Sequence, residues 1–214
     1  MSLTLYYHPL SSFCWKALIA LYENDTPFTA VVVNLGDPAE RANFLKVWPV
    51  GKFPVVRDDA RDRTVPESSI IIEYLARHYP GKTQLIPDGG HPTELRKWDR
   101  VIDLHLHLSM QKVVGDRLRP EGSKDLFGVE QAKALIKTAL DLIEPHIASK
   151  QWMMGDAFTM ADCAAAPALF YADKVVPFGA THQQTTAYLE RLKARPSFAR
   201  VLKEAEPYFK MFPG

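Results

Sequence analysis

The sequence predicts an α+β fold, a four-stranded mixed sheet with helices on its faces followed by an all-helical region. Three observations carry this. Residues up to Val33 read strand, helix, strand. Residues 53–78 read strand, strand, helix. Beyond a Gly- and Pro-rich stretch near residue 90, every apolar pattern is helical.

Leu3 to Tyr7 alternates as a short strand, and Pro9, Ser11 and Ser12 make a turn. A helix is expected from Ser12, with Ala17, Leu18, Leu21 and Tyr22 at helical spacing, ending at Asn24-Asp25. Phe28 to Val33 is β-branched and apolar, which predicts a buried strand, parallel to the first if the helix crosses over in the right-handed sense. Asp37-Pro38 opens a short helix that stops before Pro49. Phe53 to Val56 is a strand beginning at a proline, and with Thr64-Val65-Pro66 it forms a hairpin across the charged turn Asp58–Asp62. Glu67-Ser68-Ser69 leads into a helix carrying Ile71, Ile72, Tyr74, Leu75 and His78.

The stretch Pro87-Asp88-Gly89-Gly90-His91-Pro92 separates the two patterns and marks a domain boundary, with residues 1–80 on one side and 93–214 on the other. One long amphipathic helix is expected from Thr93 to about Leu118. A second runs from Gly128 to about Ser149, with Val129, Ala132, Leu135, Ile136, Ala139, Leu140 and Ile143 on its apolar stripe. Others begin at Met160, where Pro167 would kink the helix unless its neighbours accommodate it, near Gln183 and near Ser197. Thr159 and Asp162 have the spacing of a capping box, with Phe158 as its staple.

Composition narrows the function. A chain of 214 residues, 47% hydrophobic and 24% charged, is ordinary for a globular protein and excludes disorder. Lys plus Arg is 26 against 25 for Asp plus Glu, with no long basic run, so neither nucleic acid nor a membrane is expected as a partner. Met1 to Tyr7 lacks the pattern of a secretion signal, and no run of apolar residues is long enough to span a bilayer. Two cysteines, Cys14 and Cys163, make no disulfide framework, and a cytoplasmic location is the expectation. His105 and His107, two apart on a helix, point in different directions, so no metal site is expected.

Three local signals carry chemistry. Ser11-Ser12 stands where the first strand passes into its helix. There free N–H groups and the helix dipole stabilise an anion, and a serine hydroxyl can donate to a thiolate; a plain N-cap is the alternative. Lys52-Phe53-Pro54-Val55 places a proline at a strand start, fitting an edge, a bulge or a cis peptide that offers backbone groups to an extended peptide ligand. Glu67-Ser68 opens a helix whose N-terminus would bind a carboxylate while Glu67 binds an ammonium, the two halves of an amino-acid head group; a plain capped helix start is the alternative and, taken alone, the commoner outcome. Cys14, in the first turn of its helix, is either a low-pKa thiol or a buried small hydrophobe.

With these signals in this order, the chain resembles the glutathione transferase family along essentially its whole length. The resemblance rests on Leu5-Tyr6-Tyr7, the Ser11-Ser12 turn, Asn43 to Pro54 with its Pro49-Val50-Gly51-Lys52 run, Glu67-Ser68, and Gly155 to Asp162. It is to serine-type, bacterial-looking members, with a partial likeness to the zeta class. The zeta run Ser-Ser-Cys-Ser-Trp-Arg is resembled by Ser11-Ser12-Phe13-Cys14-Trp15-Lys16, with Phe13 in place of its cysteine.

The resemblance implies a thioredoxin-like N-terminal domain that binds glutathione as co-substrate, an all-helical C-terminal domain, and a homodimer. It implies that Ser11, or Ser12 beside it, activates the sulfur. Lys52 would reach the glycine carboxylate, Phe53 would pair its backbone with the cysteinyl unit with Pro54 cis, and Glu67 and Ser68 would hold the γ-glutamyl head. The implied activity is attack of the thiolate on a small apolar electrophile, as in detoxification. A non-catalytic glutathione-binding scaffold and a glutathione-dependent isomerase or dehalogenase are the alternatives. The long helix would supply one wall of the electrophile pocket, with Trp98 in the core and Met110 and Gln111 also on that helix.

Overall fold

The computed structural model describes residues 2–89 and 92–213, so Gly90 and His91 of the interdomain stretch lie outside the described residues. Its sheet contains β1 (Leu3–Tyr7), β2 (Thr29–Val32), β3 (Val55–Asp58) and β4 (Arg63–Pro66) in the order β2-β1-β3-β4. β1 pairs parallel with β2 and antiparallel with β3, and β3 pairs antiparallel with β4, so the expected mixed sheet forms. Leu5 sits opposite Ala30 on one side and Val56 on the other. Leu3, Leu5 and Val56 are buried, as alternation along a half-covered strand requires.

The strand expected to be buried between Phe28 and Val33 is instead the sheet's edge. Thr29, Ala30 and Val32 are exposed, and burial resumes at Val33, which packs with Phe44 and Val55. β2 has a neighbour on one side only, and a β-branched run does not reveal which strand will be outermost.

Helix α1 (Ser12–Glu23) is buried almost all round, from Cys14 through Leu21. Such a helix must be covered on every face; it packs against α3 (Ser68–His78), α7 (Met160–Val175) and α9 (Pro196–Ala205). Trp15 is its anchor, with its ring among Phe170, Tyr171, Phe198 and Phe209 and its Nε1 donating to Pro9 O at 2.5 Å. Helix α2 (Pro38–Val47) begins where Asp37 accepts hydrogen bonds from the Ala39 and Glu40 amides.

The long helix expected from Thr93 to Leu118 is helical throughout but not uniform. α4 (Pro92–Val101) passes into a π-helical segment, Ile102–His107, and then into α5 (Leu108–Arg117). A π turn carries extra residues per turn and rotates the helix beyond it about its axis. Asp103 and His107 thereby turn inward, whereas Leu104 and Leu108 open outward. Apolar periodicity averages over such a local shift, so the sequence does not disclose it.

Helix α6 (Leu126–Ile147) starts at Asp125, whose carboxylate accepts from the Gly128 amide at 2.9 Å. Ala132, Ile136, Ala139, Leu140 and Ile143 of the expected stripe are buried; Val129 is partly buried and Leu135 is exposed at its margin. Helix α7 runs through Pro167 without interruption. At its start Asp162 Oδ2 accepts from the Thr159 amide at 2.8 Å and from the Thr159 hydroxyl at 3.0 Å. Asp162 Oδ1 also accepts from the Met153 amide and the Tyr188 hydroxyl, so this buried carboxylate is a hub rather than a cap alone. Phe158 is buried between Trp152 and the Arg195 guanidinium. α8 (Gln183–Ala194) and α9 complete the helical domain. Among the described residues, no helix is long and apolar enough to cross a membrane.

Candidate functional site

Two helix starts meet at one cleft. Ser11, extended at φ −77° and ψ 118°, caps α1, its Oγ accepting weakly from the Cys14 amide at 3.4 Å. A hydroxyl that accepts keeps its own hydrogen to donate. Ser12, the other serine singled out by sequence, is buried in the first turn and does not line the cleft. Glu67 precedes α3 with φ +68° and ψ 120°, a conformation costly for a residue with a Cβ. Its side chain caps nothing in α3 and is exposed, while Ser68 is buried in the first turn, where N–H groups lack helical partners.

The cleft has a volume of about 680 Å³, within the range of small-ligand sites. Ser11, Lys52, Phe53, Pro54, Glu67 and Ser68 all line it. The Phe53–Pro54 peptide is cis, and Gly51 before Lys52 has φ +68°. The Phe53 ring stacks on His8 at 5.9 Å. Lys52 is exposed at the rim. The far wall comes from the long helix: Asp99, Asp103, Leu104, Leu108 and Gln111 line it, whereas Trp98 and Met110 are core residues.

Behind the cleft lies a charge cluster that sequence reasoning missed. Lys16, fully buried on α1, places Nζ 2.7 Å from Asp103 Oδ2 and 2.7 Å from Ser69 Oγ. Asp99 Oδ1 is 2.6 Å from the same ammonium and forms an ion pair with it. Ser69 donates to Asp99 Oδ2 at 2.7 Å. His107 Nδ1 lies 3.4 Å from Asp103 Oδ1, and its Nε2 is buried without a partner. Burial alone would raise the Asp103 carboxyl, but Lys16 and His107 outweigh it and hold it at about 2. Burial lowers the pKa of His107 against the opposing pull of Asp103. The one sequence signal for this cluster was a lone lysine in the apolar run Phe13 to Leu21.

Phe13, the departure from the zeta-like run, packs its ring 4.3 Å from His107 and lines the cleft. Cys14 is fully buried, and burial pushes its thiol up to about 12. It is the small hydrophobe of the two sequence readings, not a reactive thiolate. Cys163 is likewise buried, and neither cysteine is in a disulfide.

Two family models match the chain, the glutathione S-transferase N-terminal domain over residues 5–83 and the C-terminal domain over residues 127–204. Glutathione S-transferase 3 of Zea mays is 32% identical over 208 residues, covering 94% of this chain and 93% of that protein. A glutathione S-transferase structure from Rhodospirillum rubrum superposes with a TM-score of 0.79 at 28% identity, covering 94% and 91% of the two chains. One from Methylobacillus flagellatus, solved with glutathione bound, gives a TM-score of 0.85 at 22% identity over 94% and 98%. With both family domains matched in order around a thioredoxin-like sheet and a following helical domain, this chain belongs to the glutathione S-transferase family.

Proposed function

We propose that the protein is a glutathione transferase that binds the tripeptide along this cleft and presents its sulfur as thiolate to an electrophile. The observation that carries the reading is the convergence of Ser11, Lys52, Phe53, Pro54, Glu67 and Ser68 on one cavity. Glutathione has a carboxylate at its glycine end, an ammonium and a carboxylate at its γ-glutamyl end, and a thiol between. Lys52 suits the first. Glu67 and the α3 amides beside Ser68 suit the second pair. Phe53, held by the turn at Pro54, offers its backbone to the cysteinyl unit.

Ser11 then meets the sulfur. Its hydroxyl hydrogen is free to donate, and the α1 N-terminus favours negative charge. Ser12, buried one residue on, supports the turn. A fall of two pKa units from about 8.5 would correspond to roughly 2.7 kcal/mol in favour of the thiolate at neutral pH. Orientation beside the electrophile supplies further rate.

Three coarser features complete the proposal. The glutathione-binding unit spans residues 1–80 and the helical unit 93–214. The active form is a cytoplasmic homodimer engaged in detoxification. Its two-fold contact uses α3, where Ile70 is half exposed, and the long helix beginning with α4. Steady-state turnover of glutathione with a panel of electrophiles, beside calorimetric glutathione binding, tests the whole. Binding without turnover of any electrophile would mean a scaffold instead, and product analysis showing glutathione regenerated would mean an isomerase or a dehalogenase.

A further inference from the structure

The two edges of the sheet are not alike. β4, at one edge, carries Arg63 at its start and Pro66 at its end, both common guards against pairing with another chain. β2, at the other edge, reads Thr29-Ala30-Val31-Val32, without a charge or a proline, and Val32 is 45% exposed. Its register with β1 fixes which backbone groups are left over. Thr29 to Val32 pair with Thr4 to Tyr7 without a break, and the Val33 amide donates to Tyr7 O at 2.8 Å. Every second residue of a ladder turns its N–H and C=O toward the neighbouring strand, so Thr29, Val31 and Val33 face β1. The N–H and C=O groups of Ala30 and Val32 therefore point off the edge. The next outward amide, that of Asn34, is taken by Glu40 Oε2 at 2.8 Å, which closes the window at that end.

A hollow stands on each face of this window. On the α1 face, a space of about 430 Å³ is lined by Tyr22, Asp25, Phe28, Ala30, Arg200 and Glu204, among others. Arg200 covers the Tyr22 ring at 3.9 Å and pairs with Glu204, which also accepts from the Tyr22 hydroxyl. No cation covers the Phe28 ring among the described residues. On the α2 face, a space of about 240 Å³ is lined by Val31, Val33, Phe44 and Val47, with Glu40 as its charged member. Together the two linings hold the carboxylates of Asp25, Glu40 and Glu204 against the single guanidinium of Arg200. Lys82 pairs with Asp25 from outside the lining, which still leaves a negative balance.

We propose that β2 takes up an extended peptide segment of a partner protein as a fifth strand, with aliphatic side chains seated between β2 and α2 and basic side chains over Phe28 toward Asp25. The outward groups of Ala30 and Val32 supply main-chain hydrogen bonds to such a strand. Its successive side chains alternate between the two faces of the sheet, where the two hollows stand. The smaller hollow is walled by valines and a phenylalanine and suits an aliphatic group. The larger has an uncovered aromatic ring and surplus negative charge, which suit a cation on an apolar stem. A second copy of β2 would bring only the short side chains of Ala30 and Val32 to that face and would leave the larger hollow mostly unfilled. β4, not β2, leads into α3, so a two-fold contact through α3 and α4 leaves this edge open.

The test titrates the full chain with an acetylated, amidated heptapeptide of alternating valine and arginine, followed by amide hydrogen exchange in NMR. Exchange at Ala30 and Val32 should slow, while Val31 and Val33, already bonded to β1, should hardly change. Two complementary versions of the peptide, each N-methylated at alternate amides, should differ. One should bind at least about tenfold more weakly, the loss of one or two hydrogen bonds, and the other should bind like the parent. Exchanging the arginines for glutamates should also weaken binding. Val32→Pro removes an outward N–H and no bond to β1, so this variant should keep its fold and lose at least about tenfold in affinity. Saturating S-methylglutathione should leave the affinity unchanged. No slowing at Ala30 and Val32 with millimolar peptide, equal loss in both methylated versions, or equal binding of the glutamate peptide overturns the proposal. Competition by S-methylglutathione would put the peptide in the main cleft and overturn it. Slowing that appears without peptide and grows with protein concentration would mean that a second copy holds the edge, and would overturn it too.

Discussion

Lys16 Nζ lies 2.7 Å from Asp103 Oδ2, fully out of solvent, and this pair joins the helix that carries Ser11 to the helix that walls the cleft. Ser69, one residue past Ser68, bonds to both partners. The Ser11 end and the Glu67–Ser68 end of the cleft are therefore fixed to one buried charge. Removing one partner of such a pair leaves the other uncompensated. Lys16→Met should lower unfolding free energy by about 3–5 kcal/mol in denaturant titration. A loss below about 1 kcal/mol would show that the cluster is not a structural tie.

The same pair sets an acid limit. Asp103 is held below its ordinary carboxylate value, at about 2, so the folded state binds its proton less readily than the unfolded chain. Its contribution, about 2 kcal/mol, is present above the unfolded pKa near 3.8 and is lost as pH falls toward 2. Asp103→Asn should flatten the pH dependence of stability between about 4 and 2, measured as melting temperature across that range.

Ser11→Ala should raise the pKa of bound glutathione by about one to two units. One hydrogen bond to an anion is worth roughly 1.5–3 kcal/mol, at about 1.36 kcal/mol per unit. Turnover at neutral pH should fall, while binding of an S-alkyl glutathione, which carries no thiolate, should hardly change. The measurement is thiolate absorbance of the bound tripeptide against pH. A Ser11 variant that titrates like the wild type, beside a Ser12 variant that does not, would move the role one residue along.

Cys14→Ser should leave the thiolate titration of bound glutathione unmoved, because the Cys14 thiol is buried and its pKa is pushed up to about 12. It should cost stability instead, since a hydroxyl is less easily buried than a thiol. Activity lost at unchanged melting temperature would contradict the core assignment.

Thr159→Ala should cost about 0.5–2 kcal/mol, the usual cost of losing a cap. Asp162→Ala should cost more than about 3 kcal/mol, because the Met153 amide, the Thr159 amide and the Tyr188 hydroxyl all lose their acceptor. Neither change should alter glutathione affinity. Equal losses in the two variants would mean that the carboxylate acts as a cap and nothing more.

The sequence by itself determined the elements and most of the cleft. Period-two and period-3.6 patterns, the Asp37-Pro38 and Thr159–Asp162 starts, and the proline at Pro54 are local, and local sterics and caps decide them. Ser11 and Glu67-Ser68 were legible as cleft-lining residues for the same reason, since each sits at a helix start, and Lys52 because it stands in the connection just before the proline that leads into β3. What only the tertiary structure decided depends on distant neighbours. β2 became an edge because, among the described residues, no strand pairs beyond it. The π turn at Ile102–His107 set which of Asp103, Leu104, His107 and Leu108 face the core and which face the cleft. Lys16 met Asp99 and Asp103, far away in the chain, because α1 is wrapped on all sides and a charge there must find its partners inside. The choice between Cys14 as thiolate and as core residue was settled by burial, which no spacing of residues along a chain encodes.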